Sequence, residues 1–272
     1  MNHNEQTLTE TIPALVANLA GFWKRIASAP HVALFLDFDG TLAPFHADRM
    51  QAFPLPGTRE AIERIAADPR MTVALISGRP IHEILALLGD IEVTIVGAHG
   101  YEVRLTDGTA AVVEIAAEQA AILDAAYAEA LSNFISDRVE RKSASVAAHF
   151  RGLDPRDVED VEAMLERNWR AAGVQGIVEF RPFNGGLELR ASGRNKGTAI
   201  EELISTMPEG TLPIYIGDDD TDEDAFRQIA GRGIGIKVGP LNSVTAADGR
   251  LLDITSVRQL LSDWPVSSDE SV

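Results

Sequence analysis

The apolar positions of the chain follow two rhythms, and their alternation predicts the fold. Val32-Ala33-Leu34-Phe35-Leu36 is an unbroken apolar run between Pro30 and Gly40, rich in aromatic and branched side chains. Such a run predicts a strand buried on both faces, central in a mostly parallel sheet. Thr72 to Ile76, Ile91 to Val96, Leu212 to Ile216 and Ile234 to Val238 predict further strands. Ahead of the first, Leu8, Ile12, Leu15, Val16, Leu19, Phe22, Trp23 and Ile26 recur at helical spacing, which predicts an amphipathic helix over residues 8–29. Helices are also predicted from a cap at Thr58 with Ile62 and Ile65 inward, around Ile84, Leu85 and Leu88, over Ala199 to Ser205, and over Val257 to Trp264. The class is α/β, a central parallel sheet flanked by helices.

Between these two groups the pattern changes. Glu102 to Leu105, the turn Asp107-Gly108 and Ala111 to Ile115 read as a hairpin, followed by an alanine-rich helix from Ala116 to Phe134. Arg138 to Phe150, the turn Asp154-Pro155, a helix from Val158 to Ala172, and strands at Ile177 to Phe180 and Leu187 to Arg190 follow. This order, two strands and a helix seen twice, predicts a smaller inserted α/β domain over residues 104–192. Residues 1–103 and 193–272 then form a discontinuous core, with an acidic flexible tail at 265–272.

Two carboxylates, Asp37 and Asp39, arrive where the first strand ends, and on an extended chain they point the same way. Like charges that close are costly unless a cation or a proton separates them. Gly40 lets the backbone approach a ligand, and the Thr41 hydroxyl can contact an oxyanion. Three more strand ends carry candidates: Ser77-Gly78-Arg79 after the second, His99 after the third, and Gly217-Asp218-Asp219-Asp220-Thr221-Asp222-Glu223-Asp224 after the Leu212 strand. Ligands of open parallel sheets gather at such ends. Ser77 can hold a phosphoryl oxygen without adding charge, Arg79 can contact substrate or serve as a structural pair, and His99 either faces substrate or bonds its own loop. Six carboxylates in seven residues repel unless some bind a cation, and Asp218, first after the strand, is the best metal ligand among them. Asp219 and Asp222 are assigned metal-bound water or Lys196, and Asp220, Glu223 and Asp224 the helix start. Lys196 opens a helix, a poor place for a cation on dipole grounds, which favours a chemical purpose.

Asp37-x-Asp39-Gly40-Thr41-Leu42 resembles the first motif of the haloacid dehalogenase-like phosphatases, and Ser77 and Lys196 resemble their second and third. Gly217-Asp218-Asp219-x-Thr221-Asp222-Glu223-Asp224-Ala225-Phe226 resembles a signature of the trehalose-6-phosphate phosphatases, as do Glu140-x-Lys142, His149-Phe150-Arg151 and Glu188-x-Arg190 in the inserted segment. The likeness spans residues 30–262. It implies a Rossmann-like core with a C2-type cap, and hydrolysis of trehalose 6-phosphate as the last step of trehalose biosynthesis. It further implies Asp37 as nucleophile, Asp39 as acid then base, Ser77 and Lys196 holding the transferred group, and Mg2+ on Asp37, Asp218 and the backbone carbonyl of Asp39. Thr41, Gly78, Arg79, His99, Glu140, Lys142, His149, Arg151, Glu188 and Arg190 become substrate contacts. Arg190 stands where the family carries Lys as often, which changes hydrogen-bond geometry. Another sugar phosphatase, sucrose-phosphatase-like, or a phosphohexomutase would share the core. A silent regulatory subunit would be expected to have lost Asp37, Asp39 or Asp218, and all three are here.

Composition narrows the partners. The 272 residues, 45% hydrophobic, support a real core. No apolar run approaches a membrane span of about 20 residues, and Met1-Asn2-His3-Asn4-Glu5 lacks a basic signal-peptide start, so a cytoplasmic location is expected. Without cysteine there is no disulfide, thiolate metal site or thiol nucleophile. A net charge of -17 argues against nucleic acid and anionic membranes, and the small sugar phosphate that the resemblance implies, with a monomer expected, would be repelled unless Mg2+, Lys and Arg invert the field at the site.

Overall fold

The computed structural model describes residues 19–134, 136–183, 185–240 and 244–266. The expected helix over 8–29 is seen as α1, Leu19–Ser28. Its predicted positions before Leu19, and the tail from residue 267, lie outside the described residues. The chain divides into two compact units, one of residues 1–110 and 195–272, the other of 111–194.

In chain order the strands of the first sheet begin with β1 (Val32–Leu36), β2 (Met71–Ile76) and β3 (Thr94–Gly97), separated by helices α2 (Thr58–Ala66) and α3 (Ile81–Leu88). The hairpin β4 (Glu102–Arg104) and β5 (Ala110–Val112) comes next. Helix α4 (Ala117–Asn133), strands β6 (Val139–Arg141) and β7 (Ser145–His149), helix α5 (Pro155–Gly173) and strands β8 (Val178–Phe183) and β9 (Gly186–Ala191) make up the second unit. The chain returns through α6 (Lys196–Ser205), β10 (Leu212–Gly217), α7 (Glu223–Ile229), β11 (Ile234–Val238), β12 (Gly249–Leu251) and α8 (Ile254–Ser262).

The larger sheet runs β12-β11-β10-β1-β2-β3-β4-β5. Its pairs from β12 to β3 are parallel, and β4 turns back antiparallel on β3. Every β1 side chain is buried, and alternation splits them. Val32, Leu34 and Leu36 join a core with Ile62, Ile65, Ile84, Val257 and Leu260, from helices α2, α3 and α8. Ala33 and Phe35 join a second core with Ala199, Ile200, Phe226 and Ile229, from α6 and α7. Helices therefore cover both faces, which is what lets the strands be apolar throughout.

Two expectations change. Gly57, in a left-handed conformation at φ 86°, is the cap of α2, and Thr58 is its first helical residue. The hairpin at Glu102 continues the larger sheet, because β4 finds backbone partners on β3 (Gly97 opposite Glu102), so the sequence pattern of two strands and a helix does not recur twice within the second unit. That unit is instead one antiparallel sheet, β6-β7-β9-β8, with α4 and α5 packed through Leu123, Ala130, Leu165 and Trp169. Among the described residues no helix is long and apolar enough to cross a membrane.

Candidate active site

From β1 the sheet is built outward in opposite directions, through β2 on one side and β10 on the other, and a crevice opens at such a reversal beyond the carboxyl ends. Asp37 follows β1, Ser77 follows β2 and Asp218 follows β10. Lys196 begins α6, whose start is fixed by Asn195: its side chain accepts from the Thr198 amide at 2.9 Å while Thr198 Oγ1 accepts from the Asn195 amide.

Lys196 is buried, and Nζ donates to Asp37 Oδ1 at 2.7 Å and to Asp222 Oδ1 at 2.6 Å. Tyr215 OH donates to the same Asp222 oxygen at 2.5 Å, and the Asp219 amide to Asp222 Oδ2 at 2.8 Å. Burial alone would pull the lysine down, but the charges of Asp222 and Asp37 more than reverse this and hold it protonated. The unfavourable helix start is thus outweighed by two carboxylates.

Carboxylate oxygens of Asp37, Asp218 and Asp222 all lie within 4.8 Å of one another. Burial first, then the neighbouring carboxylates, push Asp37 up to about 7 and Asp218 up to about 9, Lys196 acting the other way on both. Asp218 Oδ1 is buried with no hydrogen-bond partner, a costly state for a carboxylate that a cation would relieve. Gly40, at φ 76°, permits this crowding, since a Cβ there would overlap the Asp218 carboxylate. Asp222 already accepts from Lys196, Tyr215 and the Asp219 amide, whereas among the described residues Asp37 accepts only from Lys196 and Asp218 Oδ1 has no partner. Asp37 and Asp218 are thus the better placed to hold a hard, oxygen-seeking cation such as Mg2+, which this donor set fits.

A measurable consequence follows from the signs. Both carboxyls have folded values above their unfolded ones, so the stability they contribute to metal-free protein is complete below about pH 4 and is lost as pH rises through about 7 and then about 9. A divalent cation removes that loss. The rise in Tm on adding Mg2+ to EDTA-treated protein is expected to be several degrees larger near pH 9 than near pH 5, read by scanning fluorimetry. A shift independent of pH would contradict this assignment of the ligands.

Asp39, whose expected ligand to the metal is its backbone carbonyl, has its carboxylate outside the group of Asp37, Asp218 and Asp222. It accepts a fork from Arg79, Nε to Oδ2 at 2.6 Å and Nη2 to Oδ1 at 2.7 Å. Arg79 is therefore engaged by two protein carboxylates, Asp39 and Glu83. Ser77 Oγ accepts from the Arg79 amide at 3.1 Å, which leaves its own proton to donate. Thr41 Oγ1 is buried without a partner, as a hydroxyl awaiting an oxyanion would be. The space beside Gly78 is taken by the His99 ring, 2.6 Å from where a Cβ would stand, so the glycine is explained by packing. His99 itself has φ 55° and its amide donates to the Ser77 carbonyl at 3.0 Å. Asp219 is not among the carboxylates bonded to Lys196, which are Asp37 and Asp222. The Asp219 carboxylate caps the Asp220 amide at 2.8 Å, and its carbonyl accepts from Lys237 Nζ at 2.8 Å.

In the second unit, register sets Glu140, Ala147 and Glu188 side by side, and Ser145 opposite Arg190. One face of the sheet is therefore polar. Glu188 Oε1 accepts from Lys142 at 3.0 Å and from Ser145 at 2.8 Å, Glu140 pairs with His149 at 3.2 Å, and Arg190 donates to Glu179 at 3.1 Å. Arg151 falls in the turn after β7, so strand alternation does not place it beside His149. Its backbone is tied to Gly185 instead.

The trehalose-phosphatase family profile matches residues 35–251. The chain belongs to that family. A trehalose-phosphate phosphatase of Mycobacterium marinum is 32% identical over 219 residues, 78% of this chain and 55% of that protein. An uncharacterized glycosyl hydrolase of Mycobacterium tuberculosis is 34% identical over 230 residues, 79% of this chain but 16% of the other. The chain thus spans only part of these curated relatives. Its fold superposes on the C-terminal domain of Candida albicans trehalose-6-phosphate phosphatase with a TM-score of 0.79 at 20% identity, covering 92% of this chain and 97% of that one.

Three residues of this family member have partners that no motif foretells. Tyr215 and Lys237 are polar side chains inside apolar strands, which is itself the signal, since a buried hydroxyl or ammonium needs a partner. Glu223 gives no such signal in its acidic run, yet it is buried and accepts from Thr245 Oγ1 at 2.6 Å and the Ala246 amide at 2.8 Å.

Proposed function

We propose that the protein is a Mg2+-dependent phosphatase that hydrolyses trehalose 6-phosphate to trehalose and phosphate. The observation that carries this reading is the meeting of Asp37, Lys196 and Asp218 at the ends of β1 and β10 in a chain of the trehalose-phosphatase family. A divalent cation on Asp37 and Asp218 would supply charge neutralisation for the phosphoryl oxygens. Asp37 attacks phosphorus through a carboxylate oxygen, and the bond to the sugar oxygen breaks with its electron pair leaving on that oxygen. Asp39 gives the sugar oxygen its proton. It then takes a proton from water, whose oxygen attacks the aspartyl phosphate, returning Asp37 as carboxylate and releasing phosphate. Lys196, held between Asp37 and Asp222, orients the nucleophile and offsets charge on the transferred group, while Ser77 and Thr41 offer hydroxyl protons to its oxygens.

Sugar recognition is assigned to the polar face carrying Glu140, Lys142, His149, Glu188 and Arg190, whose mixture of fixed donors and acceptors suits hydroxyl groups. Phosphate release across a panel of sugar phosphates, with and without EDTA, is the test. Turnover is expected to be highest on trehalose 6-phosphate and to vanish with EDTA. Faster turnover of glucose 6-phosphate or sucrose 6-phosphate would overturn the substrate assignment.

A further inference from the structure

The mechanism asks Asp39 to hand a proton to the leaving oxygen and later to take one from water, yet both of its oxygens are held by Arg79. Arg79 is itself buried, and a buried guanidinium does not give up a counterion without another to fall back on. Such a counterion is present. Glu83, one turn along in α3 and only 3% exposed, accepts from Arg79 Nη1 at 3.2 Å through Oε2. Its other oxygen, Oε1, meets Arg49 Nη2 at 2.7 Å, from the short 3-10 turn Arg49–Gln51. The charges form a row, Asp39, Arg79, Glu83, Arg49, alternating in sign and leading from the candidate acid toward a half-exposed arginine.

We propose that Glu83 is a positioning residue for the reaction: by sharing Arg79 with Asp39 it weakens the Asp39 fork enough for that carboxyl to turn to the substrate and to water. Glu83 acts only through Arg79. The claim rests on the phosphatase reading above, because it presumes that Asp39 must be released for proton transfer. Without the Glu83 charge, Arg79 has Asp39 as its only anionic partner among these four groups, and the fork closes on it. Arg49 tunes the arrangement from the other side, since it competes with Arg79 for Glu83.

The consequences differ by leaving group, which a loss of packing would not produce. p-Nitrophenolate departs from phosphorus without needing a proton, whereas a sugar alkoxide does not. In Glu83→Gln, kcat on trehalose 6-phosphate is expected to fall about 10-fold, a fraction of what complete loss of a general acid costs. Single-turnover release of p-nitrophenolate from p-nitrophenyl phosphate, with enzyme in excess, and KM for trehalose 6-phosphate are expected to stay within about twofold of wild type. An equal fall in both reactions, or in neither, would overturn the proposal. Arg49→Gln, at a half-exposed position, serves if Glu83→Gln does not fold. Freed of Arg49, Glu83 holds Arg79 more strongly and Asp39 is released more easily, so kcat on trehalose 6-phosphate should be at or above wild type, and a 10-fold fall would overturn the proposal equally. If wild type releases phosphate from neither substrate, the phosphatase reading itself has failed. If wild type turns over and Glu83→Gln shows no leaving-group dependence, only the role of Glu83 has.

Discussion

Asp37→Asn is expected to lower turnover on the order of 10,000-fold or more, as loss of a nucleophile does, with the fold intact and Tm within a few degrees of wild type. The activity follows from chemistry, since an amide oxygen at this place cannot form the aspartyl phosphate. The small stability change follows from two opposed effects of similar size. Asp37 is fully buried and pushed up to about 7 by that burial and by Asp222 and Asp39, so a neutral side chain relieves desolvation and repulsion. Against this, Lys196 loses one of two carboxylate partners but keeps Asp222 at 2.6 Å. Phosphate release and a thermal melt on the same sample decide it. Turnover within 100-fold of wild type would remove Asp37 as nucleophile, and collapse of the melt would show that the Lys196 pair is needed for folding.

The architecture of the larger sheet was legible because its strands, buried on both faces, are nearly pure apolar runs, and each empties into its polar residue at the carboxyl end. Asp37, Ser77 and Asp218 could therefore be placed near one another before any coordinates. Lys196 was found by an anomaly, a cation where a helix dipole disfavours one, and its two carboxylates are the reason it is tolerated there. The hairpin was misplaced because nothing in Glu102-Val103-Arg104 says which sheet it will extend; that was decided by the free edge of β3. The Asp39 partner of Arg79 is hidden from the sequence for a related reason. Glu83, which Arg79 also meets, is four residues on, in the first turn of the helix that follows, but the fork of Arg79 onto Asp39 spans 40 residues of sequence and depends on the end of β2 lying beside the end of β1. Side-chain pairing across strands is set by register, which motifs do not carry.

The acid-rich end of β10 shows how one lysine governs both chemistry and stability, and Lys196→Met is expected to damage both. Its ammonium is the one cation bonded to Asp37 and Asp222 among the described residues, and Tyr215 and the Asp219 amide add only neutral donors to Asp222. Removing one member of a buried ion pair leaves the other charge uncompensated and typically costs roughly 3–5 kcal/mol. Turnover should fall about 100- to 1000-fold through loss of charge stabilisation in the transition state. The stability loss should also depend on pH. Without the lysine, Asp37 loses the influence that holds its value down, so its folded value rises further above the unfolded one. A raised carboxyl contributes stability below its unfolded value and forfeits it as pH rises through the folded value, so the variant should lie closer to wild type near pH 5 than near pH 8. Urea melts of both proteins at the two pH values test this. A deficit equal at both would mean that loss of the ammonium does not act through the Asp37 carboxyl, and that the balance of charge around Asp37 is kept by some other group.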